Sequence, residues 1–331
     1  MKRTPVVSVV IPTLARPLQL QCALRSLFGQ LGVEAKQIEV VVVDNDPGGS
    51  AAELVATLGK RAAMTVRYVA EPRPGVAYAR NAGVGAARAP LIAFLDDDQI
   101  ASPGWLAGLM ASQARLNADV VFGPIDGVVT GADRRLDRYL SNFFSRFGPC
   151  EERLLDRYWG CGNSLLRRSA LPHPKAPFSA ERNEIGGEDD LLFGTMKSAG
   201  ARFGWSPDAW VQEMAPRERA QLSYVLRRAF AYGQGPASSA MAANPPRRAE
   251  AAGWMAKGLV QAALFGALAG WRLLTGKPDW PEALDRAVRG LGKTFWFGPF
   301  KIRFYGAAAL PALPLAADEA AGWPTAMPRA A

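Results

Sequence analysis

The chain has 331 residues, 49% of them hydrophobic, a net charge of +9 and three cysteines. That length allows one large domain or two smaller ones, with a sizeable core. Cys22, Cys150 and Cys161 form no CxxC pair and no metal pattern, an odd, sparse set that suits a reducing compartment better than a disulfide framework. The charge is uneven: residues 214–331 hold 15 basic and 7 acidic side chains, so they carry +8 of the +9. A basic tail on a near-neutral body points to an anionic partner surface, either membrane or nucleic acid.

The start, MKRTPVVSVVIPT, has basic residues before a short apolar run broken by Pro12. It reads as a first strand, Val6 to Ile11, and not as a signal peptide, so a cytoplasmic protein is expected. Pro17 to Gly29 reads as a helix, with Pro17 early and Leu20, Leu24, Leu27 and Phe28 on one face. Ile38 to Val43 is a second buried strand and runs into Asp44-Asn45-Asp46. A helix over 50–63, a strand over 66–69 and a helix over 76–88 follow. Gly83-Val84-Gly85 begins a dinucleotide-type glycine pattern, but Arg88 stands where the third glycine belongs and the pattern lies inside a helix. It is therefore set aside.

Leu91 to Asp98, LIAFLDDD, is the stretch on which the chain is organised. Its apolar run reads as a strand buried on both faces. Such a strand ends at the carboxyl edge of a parallel sheet, where open α/β folds bind ligands. Three adjacent carboxylates there are costly without a cation, and hard oxygen ligands suit Mg²⁺ or Mn²⁺. A helix over 103–117 and a strand over 119–122 complete an alternation that predicts a mostly parallel sheet covered on both faces.

Residues 125–158 are less regular and include a basic, aromatic run from Arg134 to Phe147. In Trp159-Gly160-Cys161-Gly162-Asn163, small residues beside an Asn suggest backbone approaching a ligand. Gly186-Gly187-Glu188-Asp189-Asp190 opens a helix through Lys197. Capping accounts for one acid there, but poorly for three. Beyond Pro216, a basic helix is expected over 217–232 and a linker or loop over 236–250. Gly258 to Trp271 is an uninterrupted apolar run of 14 residues, short of the ~20 a spanning helix needs. It suits an interfacial helix, a re-entrant hairpin or a core helix. The run from Phe295 to Tyr305 mixes aromatics with Lys301 and Arg303, as at a lipid headgroup interface or a packed surface. The residues from Ala307 are expected to be poorly ordered.

Taken together, VSVVIPT at the start, VVVDND at 41–46, ARNAG at 79–83, LDDD at 95–98 and GGEDDLLF at 186–193 resemble the family-2 inverting glycosyltransferases. The resemblance covers residues 5–235. The run FLDDD followed by Trp105-Leu106, ADVVFGP at 118–124, and Glu213 with Pro216 and Arg217 look most like the bacterial exopolysaccharide enzymes of succinoglycan type. The resemblance implies a GT-A fold: a Rossmann-like, mostly parallel sheet with helices on both faces, here with a C-terminal helical, membrane-associating region. It implies a catalytic domain over 1–235, its nucleotide-sugar half 1–124 and its acceptor half 125–235, and a tail over 236–331.

By the same resemblance, Asp98 binds a divalent metal, Mn²⁺ or Mg²⁺, and Asp96 contacts ribose or metal, with Asp97 beside them. Asp44 would accept from the base, Arg80 and Asn81 would lie near diphosphate or sugar, and Pro12, Thr13 and Arg16 would wrap the nucleotide. Inversion needs a base opposite the leaving group. The family places it in Glu188-Asp189, and we assign Asp189, with Glu188 or Asp190 next in line. Trp159, Gly162, Asn163 and Asp190 would face the acceptor. Members often supply a His as a further metal ligand after the base. The single His173 lies before it, between prolines, and reads as a loop residue, so Glu213 is taken as the third ligand.

The activity implied is transfer of a hexose, from UDP-glucose or a similar donor, to a lipid-linked acceptor at the cytoplasmic face of the inner membrane. The product would carry a β-linkage. The alternative is a non-catalytic nucleotide-sugar binder of the same fold, against which both LDDD and GGEDD argue. A nucleic-acid partner is not expected, because the tail lacks a helix-turn-helix or zinc pattern. A phosphatase would want its nucleophile after the first strand, where Pro12-Thr13 stand.

Overall fold

The computed structural model describes residues 4–129, 133, 135–183 and 186–302. The expectations for Arg134, Arg303 to Tyr305 and the stretch from Ala307 lie outside the described residues. Strand β1 (Val7–Thr13) and strand β2 (Ile38–Asp44) lie side by side in the molecule's main sheet, and all seven residues of β2 are buried. Their valines and isoleucines suit a pleated surface packed from both sides. β1 pairs in parallel with β2 from Val7↔Ile38 to Thr13↔Asp44, so both strands finish at one edge.

After helix α1 (Pro17–Phe28) and β2 come helix α2 (Ala52–Gly59), strand β3 (Thr65–Ala70), helix α3 (Val76–Ala86), strand β4 (Leu91–Phe94) and strand β5 (Gln99–Ala101). Helix α4 (Trp105–Leu116), strands β6 (Val120–Phe122) and β7 (Ile125–Val129), helix α5 (Asp137–Phe144), and strands β8 (Arg153–Leu155) and β9 (Ser164–Arg167) follow. Helix α6 (Glu188–Ser198) and strands β10 (Phe203–Trp205) and β11 (Val211–Ala215) lead to helices α7 (Leu222–Ala242), α8 (Arg248–Leu274) and α9 (Trp280–Thr294).

The large sheet has the order β3-β2-β1-β4-β9-β6-β10-β8, and a small one has the order β5-β11-β7. β1, β2, β3 and β4 run parallel, as do β6 and β10; β9 runs antiparallel to β4 and β6. The chain builds outward from β1 through β2 and β3, then returns to lay β4 on β1's other side. Open α/β sheets bind ligands at such a reversal, beyond the carboxyl ends of the strands. Alternate residues divide between two cores. Val9 and Ile11 pack with Leu20, Leu24 and Leu27 of α1 on one face, and Val10 packs with Val84, Phe94 and Phe122 on the other. The expected helices on both faces are present. Gly83 explains why the rejected glycine pattern exists: its bare Cα lets α3 lie directly against Val10 of β1.

The chain forms two compact units. One comprises Met1–Asp126 and Ser145–Met214; the other comprises Gly127–Phe144 and Ala215–Ile302. In the second, α7, α8 and α9 pack together through small residues. A side chain at Gly258 of α8 would strike Gly290 O of α9, and one at Gly292 would strike Phe230 O of α7.

Two expectations change here. α7 runs unbroken through residue 235 and past Pro236 to Ala242, so only residues 243–247 form the connection expected over 236–250. Alanine, read there as linker composition, is the strongest helix former. Lys257 interrupts the apolar run but not the helix, so α8 spans 27 residues, about 40 Å at ~1.5 Å per residue. By length and composition alone it could cross a membrane, and only 11% of its most apolar stretch is buried.

Candidate active site

The carboxyl ends of β1 and β4 carry the first half of the site. After Phe94 the chain turns through Asp96, Asp97 and Asp98, and the turn is held by Gln99, whose Oε1 accepts from Asp96 N at 3.1 Å. Asp97 is buried: it accepts from Thr13 Oγ1 at 2.8 Å and from Arg16 Nη1 at 3.1 Å. Arg16 also reaches Asp98 Oδ2 at 3.3 Å. The loop that carries Arg16 passes through Ala15 with φ 51°, a conformation L-residues seldom adopt. Such positions cluster where function over-determines the backbone.

The second half is the turn before β9. Gly162 passes so close to Asp96 that any side chain at 162 would fall on Asp96 Oδ2. A side chain at Gly160 would meet Asp189 Oδ2 at 3.2 Å. The two glycines thus seat two carboxylates from distant parts of the chain. Cys161 N, between them, donates to Asp189 Oδ2 at 3.1 Å, and Asp190 N donates to Asp189 Oδ1 at 2.9 Å. Asp189 lies in the first turn of α6, where the helix dipole favours negative charge.

Arg80 of α3 ties the halves together. It is buried, bonds Glu188 directly and comes within 3.6 Å of Asp96 Oδ1. Among the described residues its Nε finds no hydrogen-bond partner. Burial pushes the Glu188 carboxyl up, opposed by Arg80 and reinforced by Asp189. Glu188 is therefore enclosed and committed to Arg80, whereas Asp189 remains half-buried.

Asp98 and Glu213 form a separate pair. β11 runs antiparallel to β5 with Glu213 opposite Gln99, whose Nε2 donates to Glu213 Oε2 at 3.2 Å. Burial, and next Glu213, push the Asp98 carboxyl well above its usual range. A buried carboxylate raised by a second, half-buried one is a pair that suits a divalent cation. Asp96 lies within 3.6 Å of Arg80 and against Gly162. Among the described residues no three His, Cys, Asp or Glu side chains are gathered into a metal-holding group.

Residues 8–173 match the profile described as glycosyl transferase family 2. The chain belongs to that family. It is 32% identical over 228 residues to the succinoglycan biosynthesis protein ExoM of Rhizobium meliloti (strain 1021), covering 69% of this chain and 73% of ExoM. The mannosyltransferase PcManGT from Pyrobaculum calidifontis, solved with GDP-Man and Mn²⁺, superposes with a TM-score of 0.59 at 20% identity, covering 89% of this chain and 88% of that one. S. aureus TarS 1–349, solved with UDP-GlcNAc, gives a TM-score of 0.50 at 17% identity, covering 86% and 89%. The chain spans 40% of the longer TarS chain. These neighbours support the GT-A-type fold.

Within this family member, several expected site residues have other partners. Asn163 is fully buried with φ 54°, so it does not face an acceptor. Its Oδ1 accepts from Trp105 Nε1 at 2.7 Å, and its Nδ2 donates to Pro124 O and Ala209 O at 2.7 and 2.9 Å. Asn81 is bound both ways to the backbone of Phe178, at 2.8 and 2.9 Å. Asp44 is fully buried and accepts from Asp46 N, Ala51 N and Tyr68 Oη. In each case an unpaired buried polar group would be costly, and backbone groups, joined by Trp105 Nε1 at Asn163 and Tyr68 Oη at Asp44, supply the partners. Trp159 packs on Phe122 and Trp205 at 5.9 and 4.9 Å between centroids. Asp190 is exposed beside Asp189, and Pro12 is partly exposed at the end of β1. His173 is exposed and accepts from Ala176 N at 3.0 Å, so it is a loop residue as expected.

Two residues carry no motif and are seen only in the fold. Asn183 donates to Pro74 O at 2.6 Å and accepts from Ala77 N at 3.2 Å, closing the start of α3. Arg146 gathers the carbonyls of the 160–163 turn. Its place in a basic, aromatic run gave no sign of that.

Gly162→Ala tests the seat of Asp96. The backbone conformation at 162 tolerates alanine, so thermal unfolding should shift by only a few degrees. The displaced carboxylate should lower nucleotide-sugar turnover by roughly 10²-fold, the cost of ångström-scale misplacement. Wild-type turnover in Gly162→Ala would show that the position of Asp96 does not matter.

Proposed function

We propose that this family-2 member is an inverting glycosyltransferase that moves a hexose from a nucleotide-diphosphate sugar, UDP-glucose or a similar donor, to a lipid-linked saccharide acceptor. The observation that supports it best is the glycine turn on which Asp96, at the donor edge of the sheet, and Asp189, at the start of α6, are both seated. The relatives agree in kind: ExoM is named for succinoglycan biosynthesis, and PcManGT was solved with a nucleotide sugar.

In this reading the donor lies beyond β1 and β4, along Pro12 to Arg16 and Asp96 to Asp98. Asp98 and Glu213 would hold Mn²⁺ or Mg²⁺, which supplies counter-charge to a diphosphate leaving group. Asp189 takes the proton of the acceptor hydroxyl. The acceptor oxygen forms its bond to the anomeric carbon as the bond to the diphosphate breaks on the opposite face, and the nucleoside diphosphate leaves with the electron pair. The product is a β-glycoside. Glu188 fixes Arg80 and does not touch the acceptor. A non-catalytic nucleotide-sugar binder would have no use for a half-exposed carboxylate held by two backbone N–H groups.

Asp189→Asn should keep UDP binding and lose about 10²–10⁴-fold in turnover, the usual worth of a positioned base. Glu188→Gln should instead weaken folding, because it leaves buried Arg80 with only the more distant Asp96 as counter-charge. Turnover that survives in Asp189→Asn and vanishes in a folded Glu188→Gln would move the base to Glu188.

For the acceptor we propose a lipid surface contacted by α8, with the protein held peripherally on the cytoplasmic side of the inner membrane. The polarity of α8 is inverted. Its packed side carries Gln261, bonded to Arg286 O at 2.6 Å and to Lys293, while Leu259, Val260, Leu264 and Trp271 stand 55–65% exposed. An exposed apolar stripe of that length marks an apolar partner. Arg247, Arg248, Lys257, Arg272 and Lys277 flank it, and each basic residue near anionic lipid adds about 1 kcal/mol. Leu259→Gln with Leu264→Gln lies on the exposed side and should leave folding intact. It should cut co-sedimentation with phosphatidylglycerol vesicles several-fold, in low and high salt alike. Undiminished binding by that double variant would exclude α8 as the contact.

A further inference from the structure

We propose that Arg146 is the positioning residue for the candidate base: it sets the turn over 160–163 and, through that turn, the orientation of Asp189. This rests on the reading of Asp189 as base. Arg146 is partly buried. Its backbone is fixed by two hydrogen bonds with Ile125, at 2.8 and 2.9 Å. Its guanidinium lies over the Phe122 ring, 5.7 Å from the centroid. Nε donates to Gly123 O at 3.0 Å, Nη1 to Gly160 O at 2.9 Å, and Nη2 to Gly162 O and Asn163 O at 2.7 and 2.8 Å. Four of the five N–H donors that a guanidinium has are thus spent on backbone carbonyls.

The consequence follows from the peptide unit. Gly160 C=O and Cys161 N–H belong to one planar trans peptide, so they point in opposite directions. Arg146 holds the oxygen end and Asp189 Oδ2 accepts from the nitrogen end at 3.1 Å. Fixing one end therefore aims the other. The same grip on Gly162 O holds the glycine against which Asp96 is seated. Burial lowers the guanidinium to about 10, opposed by Glu213, Asp96, Cys161 and Asp189, so it remains a cation among these acids at neutral pH. Lysine could supply the charge, but not a planar fork that meets several carbonyls at once.

The test uses the full chain with Arg146→Met, Arg146→Lys, Asp189→Asn and the double variant Arg146→Met/Asp189→Asn. Three quantities are read: UDP binding, hydrolysis of UDP-glucose in Mn²⁺, and amide hydrogen exchange of the peptide covering 159–163. Arg146→Met should keep UDP affinity within about threefold and slow hydrolysis by roughly 10²-fold, within the range of losing a base. Arg146→Lys should fall between it and wild type. Exchange should rise over 159–163 and stay low over β1 and β2, which also shows that the variant is folded. The double variant should be no slower than Asp189→Asn alone, since coupled residues are not additive. Losses that multiply in the double variant, or exchange unchanged over 159–163, would overturn the proposal. If Asp189→Asn hydrolyses at the wild-type rate, the base assignment falls, and with it Arg146's role toward the base; faster exchange in Arg146→Met would then show an anchor of the turn alone.

Discussion

Crowded carboxylates at one edge of a sheet set the terms for this molecule. Asp96, Asp97, Asp98, Glu188, Asp189 and Glu213 converge where β1, β4 and β11 end and α6 begins. Like charges this close cannot all stay ionised in a desolvated site without compensation. Three arginines provide it at three places: Arg16 on Asp97 and Asp98, Arg80 between Glu188 and Asp96, and Arg146 beneath the glycine turn. The Asp98–Glu213 pair keeps a mutual repulsion that a divalent cation would relieve.

The acids divide by environment. Asp97 is used up by Thr13 and Arg16 and anchors the end of β1. Glu188 is enclosed with Arg80. Asp189 has two backbone N–H partners and an open side, which leaves it able to meet a hydroxyl. Neighbouring carboxylates thus take different roles through burial and partners alone.

Much of this was legible in the chain. The apolar run ending in LDDD, the alternation of strands and helices and the acids after Gly186-Gly187 all report local facts: periodicity, turn chemistry, and charge at an element's end. What was not legible depends on partners far away in sequence. Asn163 looked like a ligand-facing residue because it follows glycines, yet Trp105, Pro124 and Ala209 take its whole amide. Asn81 stands at a family-motif position, and the distant backbone of Phe178 takes its polar atoms. Arg146 lies in an irregular stretch, and only the fold brings it under the turn at 160–163. The end of α7 was misjudged for a different reason: alanine favours helix even beside Pro236, and composition alone suggested a linker.

The central claim is that the donor edge of β1 and β4 is the nucleotide and metal site, with Asp98 and Glu213 as the cation's protein ligands. The most direct measurement is a crystal grown with UDP and Mn²⁺ and recorded at the manganese absorption edge. The account predicts an anomalous peak within coordination distance of Asp98 and Glu213, with the diphosphate beside Arg16 and Asp96. A peak elsewhere, or UDP bound away from the carboxyl ends of β1 and β4, would contradict it.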